Sequence, residues 1–217
     1  MRVQSSTIEN KYLRIKSINI GACLYEVYDK QKRINLILNL GSIKNYASKN
    51  FYVGATCGRY AGRISNSKFN IKNKIYKLNV NEGKNTLHGG KKGFDRLEWK
   101  IHNHSKTKIT YQLLSKDLDQ GFPGDLNAEC IFEIKKKSFF IKYQYKSNKL
   151  THVNLTNHSY WNLNKNKKKT IFNHDLKINS EKYLELTNKL IPTGKIKKVK
   201  NTINDFNIFQ NIGKKID

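Results

Sequence analysis

Short runs that alternate apolar and polar residues constrain the fold most. In FFIKYQYK, residues 139–146, aromatic or aliphatic side chains occupy the odd positions, and the even positions from 142 onward are Lys or Gln. Successive side chains of a strand point to opposite faces, so this pattern predicts a strand with one apolar face. Similar β-rich runs recur at 12–16, 34–40, 75–80, 109–114, 129–134, 152–156, 175–179 and 183–187. Many short strands with frequent turns predict an all-β fold, a sandwich or barrel with antiparallel pairing.

The rest of the chain supports one continuous fold. No segment shows a capped helical stripe over three turns, and no repeat or low-complexity linker divides the sequence. The strand pattern ends after residue 187, and Pro123 and Pro192 are predicted to lie in loops. With 217 residues available for a core, we predict a single domain spanning residues 1–217.

The charge is strongly positive, because 42 Lys and Arg against 16 Asp and Glu give a net charge of +26. Such a charge can indicate a polyanion partner. However, the lysines are scattered, and Lys, Asn and Ile are together abundant, as expected from A/T-rich codons. We therefore predict no specific nucleic-acid partner, although selection for polyanion binding stays open as an alternative. Self-repulsion and salt-sensitive, non-specific attraction to anions are expected in either case.

Cysteine usage and the N-terminus bear on the compartment. Cys23, Cys57 and Cys130 are far apart and odd in number, which disfavours a disulfide framework or a zinc site and favours a reducing compartment. The first ten residues contain no apolar signal region, and no apolar run is long enough to span a bilayer. We predict a soluble, cytoplasmic protein that does not bind membranes.

Four stretches concentrate residues that could do chemistry. VGATCGRYAGRI at 53–64 combines glycines with two arginines, of which Arg63 could contact sugar hydroxyls or a carboxylate or form a surface ion pair. NTLHGGKKGFD at 85–95 places His88 before two glycines, where it either faces a ligand or is a structural loop histidine. DQGFPGD at 119–125 indicates a rigid loop in which the two aspartates hold turns or, as the alternative, take part in catalysis.

The fourth stretch is LTNHSYWNL at 155–163. On a strand, His158, Tyr160 and Asn162 would share one face, which suits either a polar cleft with aromatic walls or a half-buried, hydrogen-bonded strand. His158 is the best candidate for proton transfer, because imidazole titrates near neutral pH. His152 would share its face on a continuous strand. We predict no metal site, because His102 and His104 lack further ligands nearby.

Five motifs in one order resemble the aldose 1-epimerase (galactose mutarotase) family. They are GATCGRYAGRI, NTLHGGKKGFD, DQGFPGDL, VNLTNHSYWNL and LIPTG, and they extend over essentially the whole chain. The resemblance implies a large antiparallel β-sandwich of the galactose mutarotase type. It also implies interconversion of the α and β anomers of aldohexoses such as galactose and glucose, without a cofactor.

The resemblance also implies roles for individual residues. His158 matches the histidine that acts as the acid, with Ser159 and Tyr160 beside the sugar. His88 matches a second histidine that binds the sugar near its ring oxygen, and Arg63 matches a substrate-binding arginine. The chemistry needs a base for the C1 hydroxyl proton and an acid for the ring oxygen, so that the ring can open and close again.

Two departures from the family pattern matter. The family has Asn before the arginine where this chain has Gly62, and the loss of that amide should weaken binding by about 1 kcal/mol. The family chain also continues for about another third of its length, which includes the glutamate base, so we expect a C-terminally truncated fold. We predict that none of Asp95, Glu98 and Asp125 replaces this base. An inactive degenerate fragment or a carbohydrate-binding remnant is the alternative to an active epimerase.

Overall fold

A computed structural model describes residues 2–48 and 52–215. The chain divides into two compact units, Met1–Trp161 and Asn162–Asp217, and each is described by itself. Strands are the main regular elements of both units, which confirms the predicted all-β class. The prediction of one domain over residues 1–217 stays a prediction. In the described part of the chain, no helix has the length and apolar character needed to cross a membrane.

The first unit contains fourteen strands and one helical turn among its described residues. They are β1 (Ser5–Glu9), β2 (Leu13–Ile18), β3 (Cys23–Asp29), β4 (Ile34–Asn35), α1 (Asn45–Ser48), β5 (Thr56–Cys57), β6 (Arg63–Ile64), β7 (Lys68–Ile71), β8 (Lys74–Lys77), β9 (Thr86–Leu87), β10 (Lys100–His104), β11 (Lys108–Ser115), β12 (Leu126–Lys135), β13 (Ser138–Ser147) and β14 (Thr156–Asn157). Short 3-10 turns occupy Ser65–Ser67, Phe94–Arg96 and Asp119–Gly121.

Two four-stranded antiparallel sheets, β1-β2-β3-β4 and β10-β11-β12-β13, enclose the main core of this unit. Alternate residues of each strand point inward, so Ile15 and Val27 of the first sheet join Tyr111 and Phe132 of the second in one buried cluster. Trp99 is 1% exposed within the same cluster. Burial of each such large side chain contributes about 1.5–3 kcal/mol relative to exposure, which explains why the alternating pattern determines this packing.

The predicted strand at 139–146 is confirmed as β13, which pairs with β12 from Lys135↔Ser138 to Leu126↔Ser147. Phe139, Ile141 and Tyr143 pack against the core, as the alternation predicts. The same inward face continues to Tyr145, but this side chain is 55% exposed.

Four predicted strands are shorter than the sequence indicated. Of residues 75–80 only 75–77 lie in a strand, and of residues 175–179 only Asp175–Leu176 do. Of residues 34–40, only Ile34–Asn35 forms a strand, because the Asn35 side chain takes over the bonding of the neighbouring backbone. Its Oδ1 accepts the N–H groups of Val27 at 3.1 Å and Ile37 at 3.3 Å, and its amide donates to the Ile37 carbonyl at 3.0 Å. Of residues 152–156, only Thr156 lies in a strand, which is β14.

The second unit contains four described strands, namely β15 (Asp175–Leu176), β16 (Lys182–Leu186), β17 (Pro192–Lys198) and β18 (Gln210–Asn211), and a 3-10 turn at Ile212–Lys214. They form two antiparallel pairs, β15-β18 and β16-β17. The expectation that strands end after residue 187 and that Pro192 lies in a loop is therefore wrong. All seven residues of β17 are exposed, so no alternation marks this strand, and proline is tolerated as its first residue.

Candidate active site

Small pairings bring three of the sequence motifs together in the first unit. β5 pairs with β14, and β6 pairs with β9 through Arg63↔Leu87. Between them, the Ala61 N–H donates to the Asn154 carbonyl at 2.7 Å, and the Asn154 side-chain amide donates back to the Ala61 carbonyl at 3.0 Å. These contacts place the segments 53–64, 85–95 and 154–161 side by side, although they are distant in the chain.

Glycine at position 89 permits this close approach. Its φ of +90° is left-handed, and a Cβ atom built on it would lie 1.8 Å from the Gly58 carbonyl oxygen. Only a residue without a side chain fits here. The glycines after His88 therefore allow the loop to lie against the segment 53–64, which carries His88 to its position.

His88 is a neutral imidazole with a defined tautomer. The Gly62 N–H donates to its Nδ1 at 3.1 Å, so the ring proton belongs on Nε2. Burial, with the nearby His158 and Arg63 as further causes, lowers the pKa of His88 to about 4. At neutral pH this ring therefore presents an uncharged Nε2–H donor.

His158 lies next to His88, as the sequence predicted for two residues of one site. Their ring centroids are 5.4 Å apart and the rings are nearly perpendicular at 87°. The backbone of His158 is held at both ends, because Gly54 N–H donates to its carbonyl and its own N–H donates to the Ala55 carbonyl, both at 2.9 Å. A fixed backbone limits the imidazole to side-chain rotation.

Tyr160 lies on the same side as His158, with ring centroids 5.0 Å apart, and is 45% exposed. The shared side agrees with the prediction, although the segment is not one strand. Ser159 differs, because its Oγ is buried without a hydrogen-bond partner and its N–H donates to Asn157 Oδ1 at 3.2 Å. The predicted contact of Ser159 with a sugar stays a prediction.

Arg63 is held by a carboxylate that the sequence did not single out. Its Nε and Nη2 donate to the two oxygens of Glu82 at 2.6 and 2.7 Å, a two-point pair that fixes the plane of the guanidinium. The Arg63 side chain is 23% exposed. Beside it, a Cβ built on Gly62 meets nothing within 4 Å, so the missing asparagine amide leaves open space.

Tyr52 is a further residue of the site that the sequence analysis missed. Its ring lies 4.7 Å from His88 and 5.9 Å from His158, measured between centroids. Burial, with Asp95 as the next cause, raises the pKa of its phenol. Nothing in a local pattern marks this tyrosine, because its partners lie far along the chain.

Asp95 lies behind Tyr52 rather than in the open site. The Asp95 side chain is 5% exposed, its Oδ1 has no hydrogen-bond partner, and its Oδ2 is 3.5 Å from Arg96 Nε. Burial raises the pKa of Asp95 to about 6. A cavity of about 20 Å³ beside it is lined by Tyr52, Tyr46 and Cys23, among others.

Other predicted candidates lie elsewhere. The suggested shared face of His152 and His158 is wrong, because no strand connects them and His152 packs edge-on against Phe69 at 4.8 Å. Asp125 holds a turn as predicted, with Oδ1 accepting the Asp117 N–H at 2.7 Å. Glu98 accepts from Asn19 at 3.2 Å. A cavity of about 560 Å³ on the outer face of the second sheet contains none of the predicted site residues.

The arginine at position 59 in the glycine-rich stretch has a structural role. Its guanidinium is buried and donates to the carbonyls of Ser115, Lys116, Pro123 and Gly124 and to the Ser115 hydroxyl, at 2.7–3.2 Å. It therefore joins the site's backbone to the loop that contains DQGFPGD. Within residues 2–48 and 52–215, no three His, Cys, Asp or Glu side chains are grouped so as to hold a metal ion.

The fold and the paired histidines define a class, the all-β proteins of the galactose mutarotase type. Among solved structures, a GalM/aldose epimerase homologue from C. elegans superimposes with a TM-score of 0.91 at 27% identity, covering 99% of this chain and 66% of that one. Galactose 1-epimerase from Lactobacillus acidophilus gives a TM-score of 0.86 at 26% identity, covering 99% of this chain and 68% of that one.

Sequence comparison gives the same assignment. The family model for aldose 1-epimerase matches residues 4–217, and the chain belongs to this family. Galactose mutarotase from Sus scrofa is 34% identical over 215 residues, which are 98% of this chain and 63% of the relative. Aldose 1-epimerase from Haemophilus influenzae is 35% identical over 212 residues, covering 94% of this chain and 61% of the relative. The chain thus spans less than two thirds of the length of these relatives.

Proposed function

We propose that this chain is an aldose 1-epimerase that binds an aldohexose at His88, His158, Arg63 and Tyr160 and moves protons at its ring oxygen and C1 hydroxyl. The observation that supports this most directly is the histidine pair, 5.4 Å apart beside an exposed tyrosine and an oriented arginine. A sugar has hydroxyls at its rim and an apolar face, which such groups suit.

The geometry suggests a division of tasks between the two histidines. His88 is uncharged at neutral pH and donates through Nε2–H, so it can orient the sugar near the ring oxygen without giving up its proton. His158 is then the residue that transfers a proton to the ring oxygen. With no carboxylate of this segment as base, water takes the proton from the C1 hydroxyl. The C1–O bond to the ring opens, and the C1–C2 bond rotates before the ring closes on the other face.

Of the two carboxylates near the histidines, one is paired with an arginine and the other is buried. Glu82 binds Arg63 through both of its oxygens, and Asp95 is buried behind Tyr52. This supports the prediction that no carboxylate of this segment acts as the base for the C1 hydroxyl. A carbohydrate-binding remnant without catalysis is therefore the second candidate function. Loss of one proton-transfer partner lowers a rate by about 10²–10⁴-fold.

Polarimetry of freshly dissolved α-D-galactose tests the proposal. We expect the optical rotation to decay faster with the protein than in the same buffer alone. His158→Ala should lower the protein-dependent rate by about 10²–10⁴-fold, whereas His102→Ala, at an exposed position of β10, should leave it unchanged. If the protein is folded but the optical rotation decays no faster than in buffer, the proposed epimerase activity is contradicted. Saturation-transfer NMR with galactose would then decide whether a binding remnant exists.

A cytoplasmic location is also part of the proposal. The three cysteines are free and buried, which suits a reducing compartment. Cell fractionation with an antibody to the native protein would test this, and recovery with an exported fraction would contradict it.

A further inference from the structure

Tyr52 contacts both imidazoles of the candidate site at once. Its ring meets His88 edge-on at 63° and lies nearly parallel to His158 at 25°. Within the described residues, no other aromatic side chain packs against both histidines. The three rings therefore form a triangle whose sides are 4.7, 5.9 and 5.4 Å.

The backbone of Tyr52 is tied to the backbone of His158. The Tyr52 carbonyl accepts the Ala55 N–H at 3.0 Å, which closes a turn, and Gly54 and Ala55 within this turn bond to His158 on both sides. Tyr52 itself has a φ of +46°, a left-handed conformation that is costly for a bulky aromatic residue. Such strain persists only where the surrounding contacts determine it, and it is concentrated at functional sites.

Residues behind the candidate site also support the Tyr52 ring. Tyr52 lines the small cavity next to Asp95, and Arg96 and Asp95 are the charged groups that act on its phenol. A ring that is held by its own turn and lies beside the buried Asp95 side chain has little freedom to rotate. It can therefore impose its orientation on the two histidines, which present their rings to the open site.

We propose that Tyr52 is a positioning residue that sets the mutual angle and separation of His88 and His158. The ring does this by packing, and the hydroxyl is not needed for it. By excluding water from one side of His88, the same ring also favours the uncharged imidazole. The charges of His158 and Arg63 act in the same direction, whereas the Glu82 carboxylate opposes them. This role deepens the proposed epimerase function, and its kinetic consequence rests on that function.

NMR of the full chain with isotope-labelled histidine tests the proposal without an activity assay. The resonances of His88 and His158 are assigned from their loss in His88→Gln and His158→Gln. In Tyr52→Leu, we expect both ring resonances to move and the titration midpoint of His88 to rise by about one pH unit or more, toward the ordinary value. Tyr52→Phe should leave the two ring resonances and the titration midpoint of His88 unchanged. Tyr145→Leu, at an exposed tyrosine of β13, is the matched control.

The outcomes separate the positioning role from the function. If Tyr52→Leu leaves both histidines with wild-type resonances and titration, the proposal is overturned. If Tyr52→Leu does not fold, cross-relaxation in the wild-type protein decides, because the proposal requires signals from the Tyr52 ring to both imidazoles. If the wild-type protein is active, kcat should fall in Tyr52→Leu with little change in KM. Tyr52→Phe should keep the wild-type kcat. Inactive wild-type protein would remove only this kinetic readout.

Discussion

Glu82 holds Arg63 through two of its nitrogens, so one half-buried carboxylate determines where the remaining guanidinium nitrogen points. In Glu82→Gln, the neutral amide binds the Arg63 guanidinium more weakly than the carboxylate does. We expect KM for galactose to rise about 3–10-fold with little change in kcat, as when uniform binding is lost. Initial rates over a range of galactose concentrations measure this. Glu133→Gln, which weakens an ion pair with Lys142 on the second sheet, should change neither parameter. An unaltered KM in Glu82→Gln would contradict the orienting role.

Among single residues, those that belong to motifs could be predicted from the sequence. His88 and His158 were found because glycines or polar and aromatic neighbours surround them in the chain, and the structure places them together. Tyr52 and Glu82 were missed because their partners are adjacent only in space. The suggestion for His152 was wrong because it assumed a continuous strand, whereas the backbone forms a strand only at Thr156–Asn157.

Among the elements, the loop from Ser115 to Gly124 depends on one buried guanidinium. Arg59→Ala would leave buried carbonyl groups without donors, so we expect a loss of roughly 3–5 kcal/mol in the free energy of unfolding. Urea unfolding monitored by circular dichroism measures this loss. Arg14→Ala, which removes a half-exposed partner of Glu26 on the first sheet, should cost much less. Equal losses for the two variants would show that the Arg59 contacts do not stabilise the loop.

Elements were predictable where one face is buried. β13 was found because the core imposes the alternation of Phe139, Ile141 and Tyr143. β17 was missed because it is exposed along its whole length, so hydrogen bonds with β16 rather than burial define it. The strand predicted at 34–40 was too long because Asn35 offers the backbone alternative hydrogen bonds.

For the whole molecule, two groups near the site affect stability with opposite signs as pH changes. The pKa of His88 is lowered from 6.5 to about 4, so between these values the unfolded chain binds the extra proton and stability falls as pH falls. The pKa of Asp95 is raised from 3.8 to about 6, so between these values the folded chain retains the extra proton and stability falls as pH rises.

Asp95→Asn separates these two effects. Without the carboxyl, the free energy of unfolding should rise more steeply from pH 4 to pH 6 than in the wild type, by on the order of 3 kcal/mol across the interval. The His88 contribution is smaller than its pKa alone implies, because its ring is only half-buried. Urea unfolding at several pH values measures both slopes. Parallel curves for Asp95→Asn and the wild type would contradict the assignment to Asp95.

The pairing that holds His158 in place has a consequence for the order of folding. Asn157 donates to the Gly54 carbonyl across 103 positions of the chain, whereas β12 and β13 are joined by a tight hairpin. Closing a long loop costs entropy before its contacts form, so local hairpins assemble first and distant pairings follow. The histidines therefore meet late, and a chain in which the β12–β13 hairpin has formed but this pairing has not would lack the site entirely.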